Sequence, residues 1–192
     1  MRERTVNRTT PEVKIKVKVN LDGSGSYSVK TGNIFINHII ETLSKHSLID
    51  IYIEASGDLK HHLAEEVALT IGQAIDEALS DKKGIRRFGS AYVPMDDSLA
   101  RATVDLGGRP YSIIDLNIEN TEVEDLKKED IEHFFRSLAQ SSRSNIHLTT
   151  LYGSNDHHKV EAATKALALA LKDACSIEPR RLKTIPSTKG EL

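Results

Sequence analysis

The 192-residue sequence predicts an α+β fold made of two internally duplicated halves, each running strand-strand-strand-helix-strand-helix, with the helices packed on one face of a mostly antiparallel sheet. Three features carry this reading. Val13, Ile15, Val17 and Val19 alternate with polar residues, the period of a strand with one buried face. Leu63, Val67, Ile71, Ile75 and Leu79 recur at helical spacing and mark the apolar side of a long helix. The order of such segments then repeats, and in both halves the long helix opens with His-His-x-x-Glu.

In the first half, residues 13–19 read as a strand, Asp22-Gly23-Ser24-Gly25 supplies turn residues, and a second strand near 27–30 predicts a hairpin. Residues 34–43 have helical spacing, 49–55 are a β-branched run, and a longer helix starts near His61 and reaches Leu79. The second half places strands at 91–95, 99–106 and 111–118, a helix at 131–139, a strand at 146–152 and a closing helix at 160–175. A residue pair ending in His opens each short helix, Asn37-His38 and Glu132-His133. No linker-like tract divides the chain. The boundary therefore comes from the repeat, with 1–88 as the first half and 89–192, including the C-terminal tail, as the second, in one compact structural unit.

Charge is nearly balanced, 26 Lys+Arg against 28 Asp+Glu, which excludes a strongly basic nucleic-acid platform and an acidic tail protein. Hydrophobic residues at 39% and charged residues at 28% fit a globular chain with a proper core. A lone cysteine, Cys175, makes no internal disulfide, so a reducing cytoplasm is the expected home. The N-terminal MRERTVNRTT lacks an apolar stretch, and no apolar run approaches the roughly 18 residues a membrane span needs. Neither nucleic acid nor membrane is expected as a partner.

The chemistry concentrates in the two His-His-x-x-Glu elements. His61 and Glu65, like His157 and Glu161, stand four residues apart, so on a helix each pair shares a face and can chelate one ion. The second histidine, His62 or His158, is rotated by roughly 100° and points toward a different ion. Duplicated elements can therefore exchange ligands, His61 and Glu65 with His158, His157 and Glu161 with His62. His38 and His147 are the best-placed imidazoles to complete the sets. One such element alone is usually a surface or capping feature. Two at matching places, in a constellation that with His38 and His147 takes in six of the chain's eight histidines, favour metal binding. Imidazole and carboxylate without thiolate suit Mn, Fe, Co, Ni or Zn, and four protein ligands on an octahedral ion leave positions open for substrate.

Further motifs follow in order along the chain: Arg8-Thr9-Thr10-Pro11-Glu12, Asn37-His38 with His46, Gly84-Ile85-Arg86-Arg87-Phe88-Gly89, Pro94-Met95-Asp96, Gly108-Arg109-Pro110, Glu132-His133-Phe134-Phe135, Ile146-His147, Asn155-Asp156-His157-His158 and Ile185-Pro186-Ser187-Thr188-Lys189-Gly190. With these motifs the sequence resembles, over essentially its whole length, the imidazoleglycerol-phosphate dehydratases of histidine biosynthesis. The resemblance implies a hydro-lyase converting imidazoleglycerol phosphate to imidazoleacetol phosphate and water. It implies two Mn2+ per subunit, other divalent ions being alternatives, with His38, His62, His157 and Glu161 on one ion and His61, Glu65, His147 and His158 on the other. It also implies substrate contacts at Glu12, His46, Arg87, Arg109, Lys165, Ser187, Thr188 and Lys189. The fold implied is the duplicated β-α-β type shared with a ribosomal protein domain and the GHMP kinases. The assembly implied is a homo-oligomer of 24 subunits built from trimers, with metal sites between subunits. His133 is read as structural.

Two departures stand out. The family usually has Asp where this chain has Asn37, and the link Gly57-Asp58-Leu59-Lys60 before the first His-His is shorter and carries Lys60 in place of acid. If the family's Asp orients His38, metal retention is expected to be weaker here, and Asn37→Asp to restore part of it. If that Asp caps the helix, Asn serves almost as well.

The reaction removes a carbon-bound proton that no carbonyl acidifies, so the imidazole ring must serve as electron sink. Two metals on the ring nitrogens would hold it as a metal-bound imidazolate able to expel the hydroxyl through a diazafulvene-like intermediate. Glu12 and His46 are the candidate catalytic acid-base groups, with metal-bound water as a rival. For Arg87, Arg109 and Lys189 the ordinary fate is solvated surface charge, but Gly107-Gly108 lets backbone approach a ligand, and a phosphate needs such a fork of donors. Under the resemblance, the Ser187-Thr188-Lys189 tail becomes a substrate-binding clamp that orders with substrate. The alternatives are a binuclear metallohydrolase, which needs a bridging hydroxide, and a non-catalytic metal-binding oligomer, which needs neither Glu12 nor the arginines.

Overall fold

Period-two alternation builds the first sheet. The structure is a computed structural model that describes residues 2–192, so Met1 at the head of the N-terminal stretch lies outside the described residues. Strands β1 (Glu3–Thr9), β2 (Val13–Asn20) and β3 (Tyr27–Lys30) lead into α1 (Ile34–Ser47), β4 (Asp50–Gly57) and α2 (Lys60–Leu79). Val13, Ile15, Val17 and Val19 on β2, with Ile51 and Ile53 on β4, turn to the buried face. The spatial order is β1-β2-β4-β3.

The predicted hairpin between β2 and β3 does not form. β2 pairs antiparallel with β1 and β4, and β3 runs parallel to β4. A strand that feeds a helix before its neighbour arrives parallel to that neighbour, so α1 works as the crossover and the Asp22–Gly25 region is a surface bend. Asp50 accepts the backbone N–H groups of Ser24 and Ser26, both at 2.8 Å, and holds that bend against β4. Strand β1 is the third strand that the repeated order calls for in the first half; its position has no signature in the sequence because Val6 is its only buried residue, and an edge strand of this kind has almost no apolar alternation.

The second half repeats the order with β5 (Phe88–Met95), β6 (Ser98–Asp105), β7 (Tyr111–Asp115), an inserted hairpin of β8 (Glu122–Val123) and β9 (Leu126–Lys127), α3 (Lys128–Ser141), β10 (Asn145–Tyr152) and α4 (Asp156–Cys175). Its sheet order, β5-β6-β10-β7, matches the first, again with one parallel pair, β7 on β10. The strand expected over 111–118 stops at Asp115, and Leu116 and Ile118 are buried outside the ladder. The closing helix starts at Asp156 rather than 160, because Asn155 caps it by accepting the His158 N–H. No helix among the described residues is long and apolar enough to cross a membrane.

The helices pair across the halves. α1 packs on α4, and α2 on α3. Gly72 sets the second contact, since a Cβ there would stand 2.7 Å from Ser142 N and 2.8 Å from the Leu138 carbonyl. Phe134 and Phe135 of α3 and Ile36, Ile39 and Ile40 of α1 fill the layer beneath.

One buried ion network anchors α4. Lys159 is fully buried and donates to Asp156 at 2.9 Å, to the Asn117 carbonyl at 2.8 Å and to Glu119 at 3.1 Å. Asp156 also accepts the Asn120 N–H at 2.8 Å and its side-chain amide at 2.7 Å. Burial pushes the Asp156 carboxyl up, but the Asn120 N–H and Lys159 outweigh it, and the group sits at about 2 against an ordinary 3.8. A depressed carboxyl contributes stability that is fully present above its unfolded value and is lost as pH falls through its folded one. In protein stripped of metal, we expect about 2 kcal/mol of stability to disappear between roughly pH 4 and pH 2, and this component to be missing in Asp156→Asn. Asp156→Ala, which leaves Lys159 buried with half its partners, is expected to cost about 3–5 kcal/mol in denaturant unfolding, and Asp156→Ala with Lys159→Met to cost less.

Candidate metal centre

Helix spacing and cross-half packing together assemble two triads. On α4, His157 and Glu161 share a face, and α1 presents His38 to it. The ligand atoms of His38, His157 and Glu161 lie within 4.8 Å of one another, as do those of His61, Glu65 and His133. Glu161 Oε2 stands 3.4 Å from His38 Nε2 and 3.3 Å from His157 Nε2, and Glu65 Oε1 stands 3.3 Å from His133 Nε2. Matching ring pairs face each other, His38 with His157 at 5.3 Å and His61 with His133 at 5.2 Å.

In each triad the nitrogen from the short helix is orphaned. Nε2 of His38 and Nε2 of His133 are buried without a hydrogen-bond partner, although each is within ion-pair range of a glutamate. A buried polar atom left so costs about 1–3 kcal/mol, unless something not made of protein sits in the cluster. Imidazole and carboxylate donors at this spacing fit a borderline divalent cation.

The second triad differs from the set read in the sequence. His133, read as structural, occupies the place given to His147. His147 points out of β10 on the exposed face of its sheet, with Tyr111 as its ring neighbour at 6.3 Å. Strand alternation aims it away from the helix layer, while the packing of α3 on α2 carries His133 to His61 and Glu65. A signal was available: Asn37-His38 and Glu132-His133 are duplicate positions, so the role of one predicts the role of the other.

His62 and His158 join neither triad within the chain. His62 Nδ1 donates to Asp58 at 2.8 Å, and this hydrogen bond holds the imidazole above its ordinary value. His158 Nδ1 donates to Asp97 at 2.6 Å, an interaction that, with the N–H groups of Ser154 and Asn155, holds Asp97 far below the usual carboxylate range. The outer nitrogens of the triads are likewise taken, His61 Nδ1 by Asp130 at 2.6 Å and His157 Nδ1 by Glu124 at 3.0 Å. All four helix-opening histidines thus have Nδ1 on a carboxylate, which leaves Nε2 as the free donor atom. These carboxylates were not found from sequence, because three of the four come from other elements.

Neither role weighed for Asn37 fits. Helix α1 starts at Ile34 with Asn33 as cap, so Asn37 and His38 lie one turn inside it. Asn37 Oδ1 accepts the Thr31 N–H at 3.1 Å and the Thr31 hydroxyl at 2.7 Å, and adjacent helical residues diverge by roughly 100°, so it does not orient His38. The short link keeps Asp58 as the carboxylate for His62, while Lys60 reaches the Asp125 carbonyl.

Glu12, in the turn between β1 and β2, stands 3.9 Å from His62 Nδ1. Lys165 pairs with Glu161 at 2.7 Å. Burial raises Glu161, but the Lys165 hydrogen bond and charge outweigh it and keep the carboxyl low. His46, on the last turn of α1, is pushed down by partial desolvation and by the Lys165 charge. Arg87, Arg109, Ser187, Thr188 and Lys189 gather with Arg143 around a cavity of ≈ 390 Å³. Arg143 was not singled out from sequence, and nothing in its local pattern marks it. Arg87 is committed elsewhere: its guanidinium forks onto Asp105 at 2.7 and 3.1 Å and donates to the Pro186 carbonyl at 2.8 Å.

Residues 31–171 match the family model described as imidazoleglycerol-phosphate dehydratase. The chain is 49% identical over 195 residues to the imidazoleglycerol-phosphate dehydratase of Methanothermobacter thermautotrophicus, covering 100% of this chain and 98% of that one. It is 48% identical over 191 residues to that of Dehalococcoides mccartyi, covering 100% and 97%. Crystal structures of the enzyme from Staphylococcus aureus and from Pyrococcus furiosus, the latter in complex with (S)-C348, each superimpose with a TM-score of 0.84 at 34% identity. The first covers 92% of this chain and 99% of that one, the second 97% and 100%.

The geometry separates the two histidines sharply. In Mn2+ titrations of chelator-stripped protein, His133→Ala is expected to remove one class of binding site, and His147→Ala to leave binding unchanged. The reverse pattern would restore the assignment read from sequence.

Proposed function

Because the chain belongs to the imidazoleglycerol-phosphate dehydratase family, hydro-lyases of histidine biosynthesis, we propose that it dehydrates imidazoleglycerol phosphate with two divalent cations held by the triads and completed by neighbouring copies. The observation that carries the cation sites is the matched pair of buried, unpartnered nitrogens, His38 Nε2 and His133 Nε2. His38, His157 and Glu161 would hold one ion, and His61, Glu65 and His133 the other, Mn2+ being well suited. His62 and His158 lie outside these sets and are the natural fourth ligands for a second copy. That exchange makes assembly a condition of the site, in keeping with a closed oligomer of trimers reaching 24 subunits. A cytoplasmic setting accords with the biosynthetic role.

When bound, the cations supply Lewis-acid charge that lets the substrate ring accept electrons as water leaves. The chain's own residues do the rest. Glu12 is half exposed beside His62 and serves to take or return the carbon-bound proton. His46, depressed in its affinity for protons, is neutral near pH 7 and offers a free nitrogen for a second transfer. Lys165 keeps Glu161 ionised. Arg109, Arg143 and Lys189, with the hydroxyls of Ser187 and Thr188, form a basic cavity suited to the phosphate. Arg87 holds the tail in place through Pro186.

The direct experiment incubates protein, Mn2+ and imidazoleglycerol phosphate and follows the ketone product, whose formation should stop on chelation and resume on Mn2+ addition. Glu12→Gln should lower kcat by about 10²–10⁴-fold with bound metal retained. Arg109→Ala should mainly raise KM. Loss of metal in both variants to the same extent would overturn these roles.

A further inference from the structure

The β8–β9 hairpin has no counterpart in the first half, and its turn, Glu124-Asp125, touches three of the helices that carry the triads. Glu124 accepts from His157 Nδ1 at 3.0 Å. Asp125 accepts the N–H groups of Ile34 at 3.3 Å and Phe35 at 3.0 Å at the start of α1, and the Asn33 side-chain amide at 2.9 Å. Its backbone carbonyl takes Lys60 Nζ at 2.6 Å at the start of α2.

The duplication explains why such a device is needed. In the second triad, the carboxylate on His61 Nδ1 is Asp130, three residues before His133 on α3. Three residues before His38 on α1 stands Phe35, whose ring packs at 5.4 Å from His157 and accepts no hydrogen bond there. His157 therefore lacks the partner that its duplicate has, and Glu124 reaches in from the hairpin to provide one. Glu124 does so from a left-handed backbone, φ 55°, a conformation unfavourable for a non-glycine residue. Its side chain is 58% exposed, so packing does not ask for it.

We propose that Glu124 is a positioning residue for the cation site of His38, His157 and Glu161. By accepting Nδ1–H it holds His157 in the tautomer whose Nε2 faces the triad, while Asp125 holds the α1 end that carries His38. This inference rests on the cation reading given above.

The test compares wild type, Glu124→Gln and Glu124→Gly, all stripped of metal, by Mn2+ competition against a chelator and by thermal melting without metal. Glu124→Gly should weaken one of the two Mn2+ binding steps by about 10–100-fold and leave the other intact. Its metal-free Tm should be unchanged or higher, because glycine accepts the left-handed backbone. Glu124→Gln, whose amide oxygen still accepts a hydrogen bond, should fall between. Equal Mn2+ affinity in all three proteins would overturn the positioning role and leave the cation reading standing. Weakening of both steps together with a lower metal-free Tm would reduce Glu124 to a structural residue and overturn the proposal. No Mn2+ binding by wild type would overturn both readings.

Discussion

The short helix of each half packs on the long helix of the other, and this exchange decides what the molecule can hold. Had α1 packed on α2 and α3 on α4, each half would place its own histidines together. Instead His38 meets His157 and Glu161 from the far half, and His133 meets His61 and Glu65. Each cluster needs both halves folded and docked. The close approach of α2 and α3 at Gly72 shows how tightly the contact is drawn, since not even a methyl group fits there.

Around these clusters the protein distributes carboxylates with a consistent logic. Each of the four helix-opening histidines donates Nδ1–H to an acid, and these acids come from a pre-helical link, a strand turn, a helix start and an inserted hairpin. Such contacts fix both the ring orientation and the tautomer, so Nε2 is the atom presented. Helices α1 and α4 are held at their starts by unrelated means, Asp125 at α1 and the Lys159–Asp156 network at α4. Rigid helix ends suit a function that depends on the relative placement of side chains from several elements.

The basic cavity follows a different principle. It is built from loops and the tail rather than from helices, and none of the triad residues lines it. Glycine at 107 and 108 lets the chain pass beside arginine side chains, and Arg87 uses its own charge on Asp105 and the Pro186 carbonyl to keep the tail at the rim. Polar, partly exposed groups of this sort suit reversible binding of a charged ligand portion.

Local periodicity made much of this legible. Apolar alternation located β2, a β-branched run located β4, helical spacing located α1 to α4, and i to i+4 geometry paired His61 with Glu65 and His157 with Glu161, all from interactions a few residues apart. The repeat of one pattern in two halves made the duplicated fold class readable as well. What the sequence could not decide was anything set by contact between distant segments. The parallel placement of β3 beside β4, the edge strand β1, the meeting of His133 rather than His147 with His61 and Glu65, the engagement of Asn37 by Thr31, and the reach of Glu124 to His157 all depend on how helices and sheets dock. Docking is governed by summed packing across surfaces, in which no single residue carries a periodic signature, and so only the tertiary structure settles it.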